Sequence, residues 1–354
     1  MPGIFVLFAN HIEIIITFRK NKKDMTQDSF LSKIEDIIPA NTSLVSELCD
    51  VLNISQDSAY RRLRGSTQLT ISEISALCRH YRISFDVFDD LDINNVTFSF
   101  LNIDHDFSSF EVYLQTMIND LGLIRNSKNK KITYACEDIP IFYNYKYPSL
   151  GSFKIFYWME AILNNSLLEN NKFHKDSIPQ NLKELGSKIF DLYIDVPSVE
   201  IWTDTTYLSV IKQIEFFWES GKFESPQDVI DILDDLKQLL KDIQLQAKLG
   251  KKLFSESSES GQRAEYELYV SEIEIGNNCV LVDLGNTKSV YLGHMSFNTI
   301  STMNKKYCEL TEQWLDNIIK KSNPISKVSE KIRYQYFKTA FGRIEKFKAQ
   351  VLED

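Results

Sequence analysis

Apolar positions along the chain fall into two regimes. Between residues 28 and 91 they recur at spacings of three and four in short runs, which predicts a bundle of short helices. DSFLSKIEDIIP (28–39) places Phe30, Leu31, Ile34, Ile37 and Ile38 on one face, with Asp28 or Ser29 as N-cap and Pro39 as the stop. TSLVSELCDVLN (42–53) starts at a Thr42/Ser43 cap and buries Leu44, Val45, Leu48, Val51 and Leu52. SQDSAYRRLRG (55–65) opens on Ser55 and closes on Gly65, a glycine placed for a left-handed helix end. TISEISALCRHYR (70–82) carries a Thr70/Glu73 capping box and buries Ile71, Ile74, Leu77 and Cys78. SFDVFDDL (84–91) reads as a fifth helix.

Beyond residue 106 the elements lengthen and mix. Helices are expected at about 107–124, 150–165, 180–194, 204–220, 226–250, 304–320 and 328–350, the last two separated by Pro324. KKITYACE (130–137) alternates like a strand, and ELYVSEIEI, CVLVDL and SVYLGH (267–293), joined by Gly-Asn turns, read as an antiparallel meander. The expectation is a mainly α chain with an α+β part: a five-helix N-terminal bundle (25–92), a linker (93–106) and a larger helix-rich domain (107–354) holding a small antiparallel sheet. Residues 1–24 are apolar over 4–18 and then basic, but shorter than a membrane span. We read them as a leader ahead of a start at Met25, with an extra docked strand as the competing reading.

The layout helix, tight turn, helix over 42–65 is that of a helix-turn-helix. ELCDVLNISQDSAYRRLRG (47–65) followed by LTISEISALCRHYRISFDVF (69–88) resembles the lambda-repressor-like (XRE-type) DNA-binding domain over about 60 of the 354 residues. The resemblance implies a five-helix fold that docks its second motif helix in DNA. Independently, Ala59 and Leu63 stand one turn apart and would pack on Leu48 and Leu52, which turns Gln56, Asp57, Tyr60, Arg61 and Arg64 outward. A recognition helix offers such residues to base edges in the major groove: glutamine pairs with adenine, arginine with guanine. Gln56 and Arg61 are therefore the candidates for base readout, with Tyr60 in apolar contact or on a phosphate. Arg64, Thr67, Thr70 and, to one side, Arg62 are candidates for phosphate contacts, which position without specifying. Asp57 either stabilises the helix N-terminus or accepts from a cytosine amino group. Arg61, Arg62 and Arg64 as a merely solvated face is the plainer reading.

Composition changes this picture in one respect. The chain carries a net charge of −9, and residues 25–95 hold six basic against eleven acidic side chains. Phosphate affinity comes largely from Lys and Arg, so non-specific binding should be weak and useful binding should rest on dimerisation and a few local contacts. Five scattered cysteines and five scattered histidines form no metal-ligand or redox spacing, which points to a reducing cytoplasm, no metal and no cofactor. VLVDLGNT (280–287) resembles the first phosphate loop of actin-like ATPases, but only 67 residues follow it and a hairpin fits better. No other catalytic motif is present, and an enzyme is not expected. Val229, Leu233, Leu236, Leu240, Ile243 and Ala247 recur at heptad-like spacing, a candidate homodimer seam or else a helix packed in its own domain. The aromatic-rich stretches 153–163 and 200–218 read as core, or as the lining of a site for an unknown small-molecule or protein effector. The 320–350 region carries nine Lys/Arg against Glu330 and Glu345, either a solvated amphipathic helix or a second contact for DNA or an acidic partner. The reading that unites these features is a sequence-specific transcriptional regulator. The alternatives are a protein-interaction or structural protein whose bundle does not touch DNA, and a ligand-binding sensor with an accessory helix-turn-helix.

Overall fold

The computed structural model describes residues 27–35, 38, 42–81, 96–165, 168, 171–253 and 263–353. The expected leader (1–24), the expected fifth helix (84–91) and the polar 255–262 stretch lie outside these residues. The chain divides into two compact units, Met1–Ser99 and Phe100–Asp354.

The N-terminal unit shows four helices among its described residues: α1 (Gln27–Glu35), α2 (Leu44–Leu52), α3 (Gln56–Leu63) and α4 (Ile71–His80). Each start after α1 is set by a hydroxyl accepting a backbone N–H: Ser43 from Ser46, Ser55 from Ser58, Thr70 from Glu73. The expected capping box is present, the Glu73 carboxylate accepting the Thr70 N–H in return. Phe30, Leu31, Ile34, Leu44, Leu48, Ala59 and Leu77 make the core. Val45, Val51, Leu52, Leu63, Ile74 and Cys78, also expected inside, are half-buried, and Ile71 is turned out to solvent, 86% exposed. It occupies the first position of α4, and the stripe that packs begins a turn later at Ile74 and Leu77.

The C-terminal unit is α+β. Its sheet has eight strands, β1 (Ser99–Phe100), β2 (Lys131–Cys136), β3 (Ser198–Trp202), β4 (Tyr266–Val270), β5 (Cys279–Asp283), β6 (Lys288–His294), β7 (Asn298–Thr302) and β8 (Asn323–Pro324). Their order is β1-β7-β6-β5-β2-β3-β4-β8. This corrects the small antiparallel sheet. β2, β3 and β4 run parallel, β5, β6 and β7 continue antiparallel from β2, and β4 pairs with β3 rather than with β5. Parallel strands need long crossovers. α5 (Phe107–Asn126) precedes β2; α6 (Ile141–Asn144), α7 (Pro148–Tyr157), a π-turn (Trp158–Ile162) and α8 (Gln180–Ile194) lead to β3. α9 (Leu208–Glu219) and α10 (Pro226–Leu249) lead to β4. α11 (Lys305–Lys320) and α12 (Glu330–Glu353) complete the chain.

Alternation assigns the two sheet faces. Ile132, Tyr134, Trp202, Tyr266, Leu268 and Val282 join the large helical core, whereas Ala135, Ile201, Cys279, Leu281 and Val290 face Cys308, Leu315 and Ile318 of α11. The aromatic stretches are packed on one another, as in Phe153 against Phe173, Phe217 and Phe223. VLVDLGNT forms the β5–β6 hairpin, with Gly285 at φ +87° and its N–H donated to Asp283 Oδ1 at 2.7 Å.

Of the two readings of the heptad-like spacing, the structure fits the helix packed in its own domain. Val229, Leu233, Leu236, Leu240, Ile243 and Ala247 are all buried within this one chain, in the core shared with residues of α7 and α12. A heptad spacing and a buried face of a long helix are the same pattern, and here the partners are intramolecular. In α12 the inward face comprises Phe337, Ala340, Ile344, Phe347 and Val351. Arg333 is buried there too, donating to the Ile325 and Val328 carbonyls at 2.7 and 2.9 Å, while Ile332 is exposed.

Candidate nucleic-acid interface

The α2–α3 junction is a tight turn built by two residues. Asn53 takes the left-handed conformation (φ 52°, ψ 50°) and ends α2, its N–H returning to the Cys49 carbonyl. Two residues later Ser55 caps α3. With Ala59 fully buried against the bundle, Gln56, Asp57, Tyr60, Arg61 and Arg64 occupy one exposed strip of α3, as the spacing predicts; Tyr60 is 51% exposed. Asp57 and Arg61 form an ion pair at 2.8 Å along this strip, both side chains well exposed. The Arg64 Nε–H donates to the Tyr60 carbonyl at 3.3 Å, and Gly65 (φ +69°) turns the chain out of the helix.

Arg62 departs from the expected phosphate contact. Its guanidinium turns inward, donating to Glu73 Oε1 at 2.5 Å and to the Ser58 carbonyl at 3.1 Å, and only 14% of its side chain is exposed. Burial acts to raise the Glu73 carboxyl, but hydrogen bonds from Arg62 and Thr70 outweigh it and hold the group below its usual range. Thr67 is half-buried, its N–H on the Arg61 carbonyl at 3.2 Å. Thr70 is exposed; its hydroxyl oxygen accepts the Glu73 N–H at 3.2 Å, which leaves its O–H able to donate to a phosphate.

The residue that sequence reasoning missed is Gln27. From α1, its Nε2 donates to the Arg62 carbonyl at 2.6 Å and the Thr67 carbonyl at 2.8 Å, and its Oε1 accepts the Leu69 N–H at 2.6 Å. One amide thus fixes both ends of the loop between α3 and α4. A glutamine in the first turn of an amphipathic helix carries no local signal of partners some forty residues away.

The geometry is that of a short helix held by caps and an internal ion pair, with a glutamine, a tyrosine and two arginines on its free side. These are groups able to meet base edges and phosphates. Comparison with known proteins finds no matching family model, no similar curated protein and no similar solved structure.

Proposed function

We propose that the chain is a sequence-specific DNA-binding transcriptional regulator that lays α3 in the major groove. The observation that carries this reading is the exposed strip Gln56, Tyr60, Arg61 and Arg64 on a helix that enters from a tight turn and buries Ala59. Gln56 and Arg61 read bases, Tyr60 makes an apolar or phosphate contact, and Arg64, Thr67 and Thr70 hold phosphates. Arg62 is left out of this surface because its guanidinium turns inward to Glu73 and the Ser58 carbonyl. The C-terminal unit supplies association or sensing of an unknown effector, and a homodimer on paired half-sites suits the acidic balance of the N-terminal unit, which leaves little non-specific phosphate affinity. We place the protein in the cytoplasm; among the described residues no helix is long and apolar enough to cross a membrane.

Selection of bound sequences from a random DNA pool, followed by salt titration of binding to the selected site, tests this reading. Arg61→Ala/Arg64→Ala is expected to lose affinity and to flatten the salt dependence by roughly one unit of slope per phosphate contact removed. Equal binding by this variant overturns the docking. No binding by the unaltered protein at any salt leaves the protein-interaction reading in its place.

A further inference from the structure

The C-terminal unit buries an acid and a base that do not touch each other. Glu200, in the middle of β3, is fully buried. Its Oε1 accepts the Tyr143 and Tyr193 hydroxyls at 2.8 and 2.7 Å, and its Oε2 accepts the Trp202 indole N–H at 3.1 Å and the Tyr266 hydroxyl at 3.0 Å. These donors satisfy both oxygens without a cation. Lys252, between α10 and β4, is equally buried. Its Nζ donates to the Tyr193 carbonyl at 3.1 Å and lies 3.3 Å from the centre of the Tyr193 ring. Tyr193 therefore stands between the charges, its hydroxyl on the carboxylate and its ring and carbonyl on the ammonium.

The backbone around Lys252 holds the start of β4. The Lys252 N–H donates to the Ala264 carbonyl at 2.8 Å, and the Tyr266 N–H to the Gly250 carbonyl at 3.1 Å. The Leu253 N–H is taken by Gln246 of α10 at 3.2 Å. Tyr266 in turn reaches Glu200, so the Lys252 side chain and the first residues of β4 close on the same cluster.

We propose that Lys252 is a proton-operated latch that ties the start of β4 to the Glu200 cluster and holds tighter as its amine gives up its proton. Burial pulls the Lys252 ammonium down to about 7, against the pull of Glu200 from β3 and of Asp195 after α8. Asp195 is itself engaged by Arg125 of α5 at 2.9 Å, and among the described residues the Tyr143 and Tyr193 rings also face the Lys252 amine, with Tyr266 behind them on Glu200. Released into water, Lys252 holds its proton up to its ordinary value of 10.5. Between these limits the open form binds more protons than the closed one, so closure gains as pH rises. Below about 7 both forms are protonated, and the cost of the buried charge is present in full.

Hydrogen exchange of the Lys252 and Tyr266 amides in the full chain tests the latch, with rates corrected for the intrinsic effect of pH. Protection is expected to rise on the order of tenfold to fifty-fold between about pH 7 and 9, and to stay flat in Lys252→Met. A carbon-detected titration of Lys252 in the unaltered chain supplies a second reading that does not depend on the variant folding. A midpoint near neutral supports the latch. A midpoint above about pH 9, close to a free lysine, overturns it. The same pH response in the parent and in Lys252→Met overturns it as well.

Discussion

The Arg62 guanidinium bonds one oxygen of the Glu73 carboxylate at 2.5 Å, and the other oxygen of that carboxylate accepts the Thr70 N–H at 2.9 Å. One acid thus closes the capping box of α4 and anchors the last turn of α3, the helix whose outer strip is the candidate interface. Arg61, its chain neighbour, pairs with Asp57 in solvent. The two arginines should therefore separate cleanly. Arg62→Ala leaves a mostly buried carboxylate without its cation and is expected to destabilise the N-terminal unit by about 1–3 kcal/mol. Arg61→Ala should stay within about 0.5 kcal/mol of the parent, as exposed pairs do. Denaturant unfolding followed through amides of α3 and α4 checks both, and equal losses for the two variants would contradict the assignment.

The same carboxylate sets an acid limit on the unit. Glu73 is held below its usual value of 4.5 in the folded chain. Its stabilisation is therefore complete above the unfolded value and is lost as pH falls through the lower folded one. Stability of the N-terminal unit is expected to fall on acidification below about pH 4.5, and Glu73→Gln should flatten that limb while lowering stability near neutrality. A series of unfolding curves from pH 3 to pH 7 measures it. An unchanged acid limb in the variant would assign the acid loss to other carboxylates.

Gln27 makes a third case, because its effect should reach the interface without touching it. Gln27→Ala removes three hydrogen bonds to the Arg62, Thr67 and Leu69 backbone. A loss of about 1–3 kcal/mol is expected, since these backbone groups lose bonded partners. Loosening the loop also displaces Thr67 and the end of α3, so DNA affinity should fall, with the preferred sequence retained. A changed sequence preference would instead place Gln27 among the reading residues.

What could be read in advance followed the range of the interactions. Ser55, Asn53 and Gly65 bound α3 through their own backbone and neighbours, so its limits and exposed strip are local facts that the residue pattern carries. β3 is the opposite case. Ser198, Val199, Glu200, Ile201 and Trp202 are buried on both faces, so no alternation marks them as a strand. β4 alternates visibly, yet its partner is chosen by the α9–α10 crossover, and that pairing is long-range. Gln27 and the inward turn of Arg62 belong with these. Both depend on residues distant in the chain, and an arginine on a polar helix face looks the same whether or not an acid from the next helix waits for it.

The apolar seam on α10 now predicts stability rather than association. Leu236 is fully buried in the core of its own unit. Leu236→Ala should cost about 2–5 kcal/mol through lost burial and the cavity it leaves. The oligomeric state, read by sedimentation or light scattering at matched concentration, should not change. Dissociation of an oligomer without loss of unfolding stability would restore the seam as an interface.

Asp57 decides how the candidate interface handles its own negative charge. It lies on the exposed strip, 2.8 Å from Arg61, and occupies the first turn of α3. On free protein it neutralises an arginine and favours the helix N-terminus, effects worth a few tenths of a kcal/mol each at an exposed site. Against DNA it opposes phosphates and competes for Arg61. Asp57→Asn keeps the side-chain shape and removes the charge. If α3 approaches phosphates and Asp57 touches no base, the variant should bind all sequences several-fold tighter, with the gain shrinking as salt screens the repulsion. If Asp57 accepts from a cytosine amino group, the selected site should lose affinity instead, while other sequences bind as well as before or better. Titrating parent and variant against the selected site and an unrelated duplex at two salt concentrations separates the outcomes. Identical curves for parent and variant on both duplexes would mean that α3 does not approach DNA at this position.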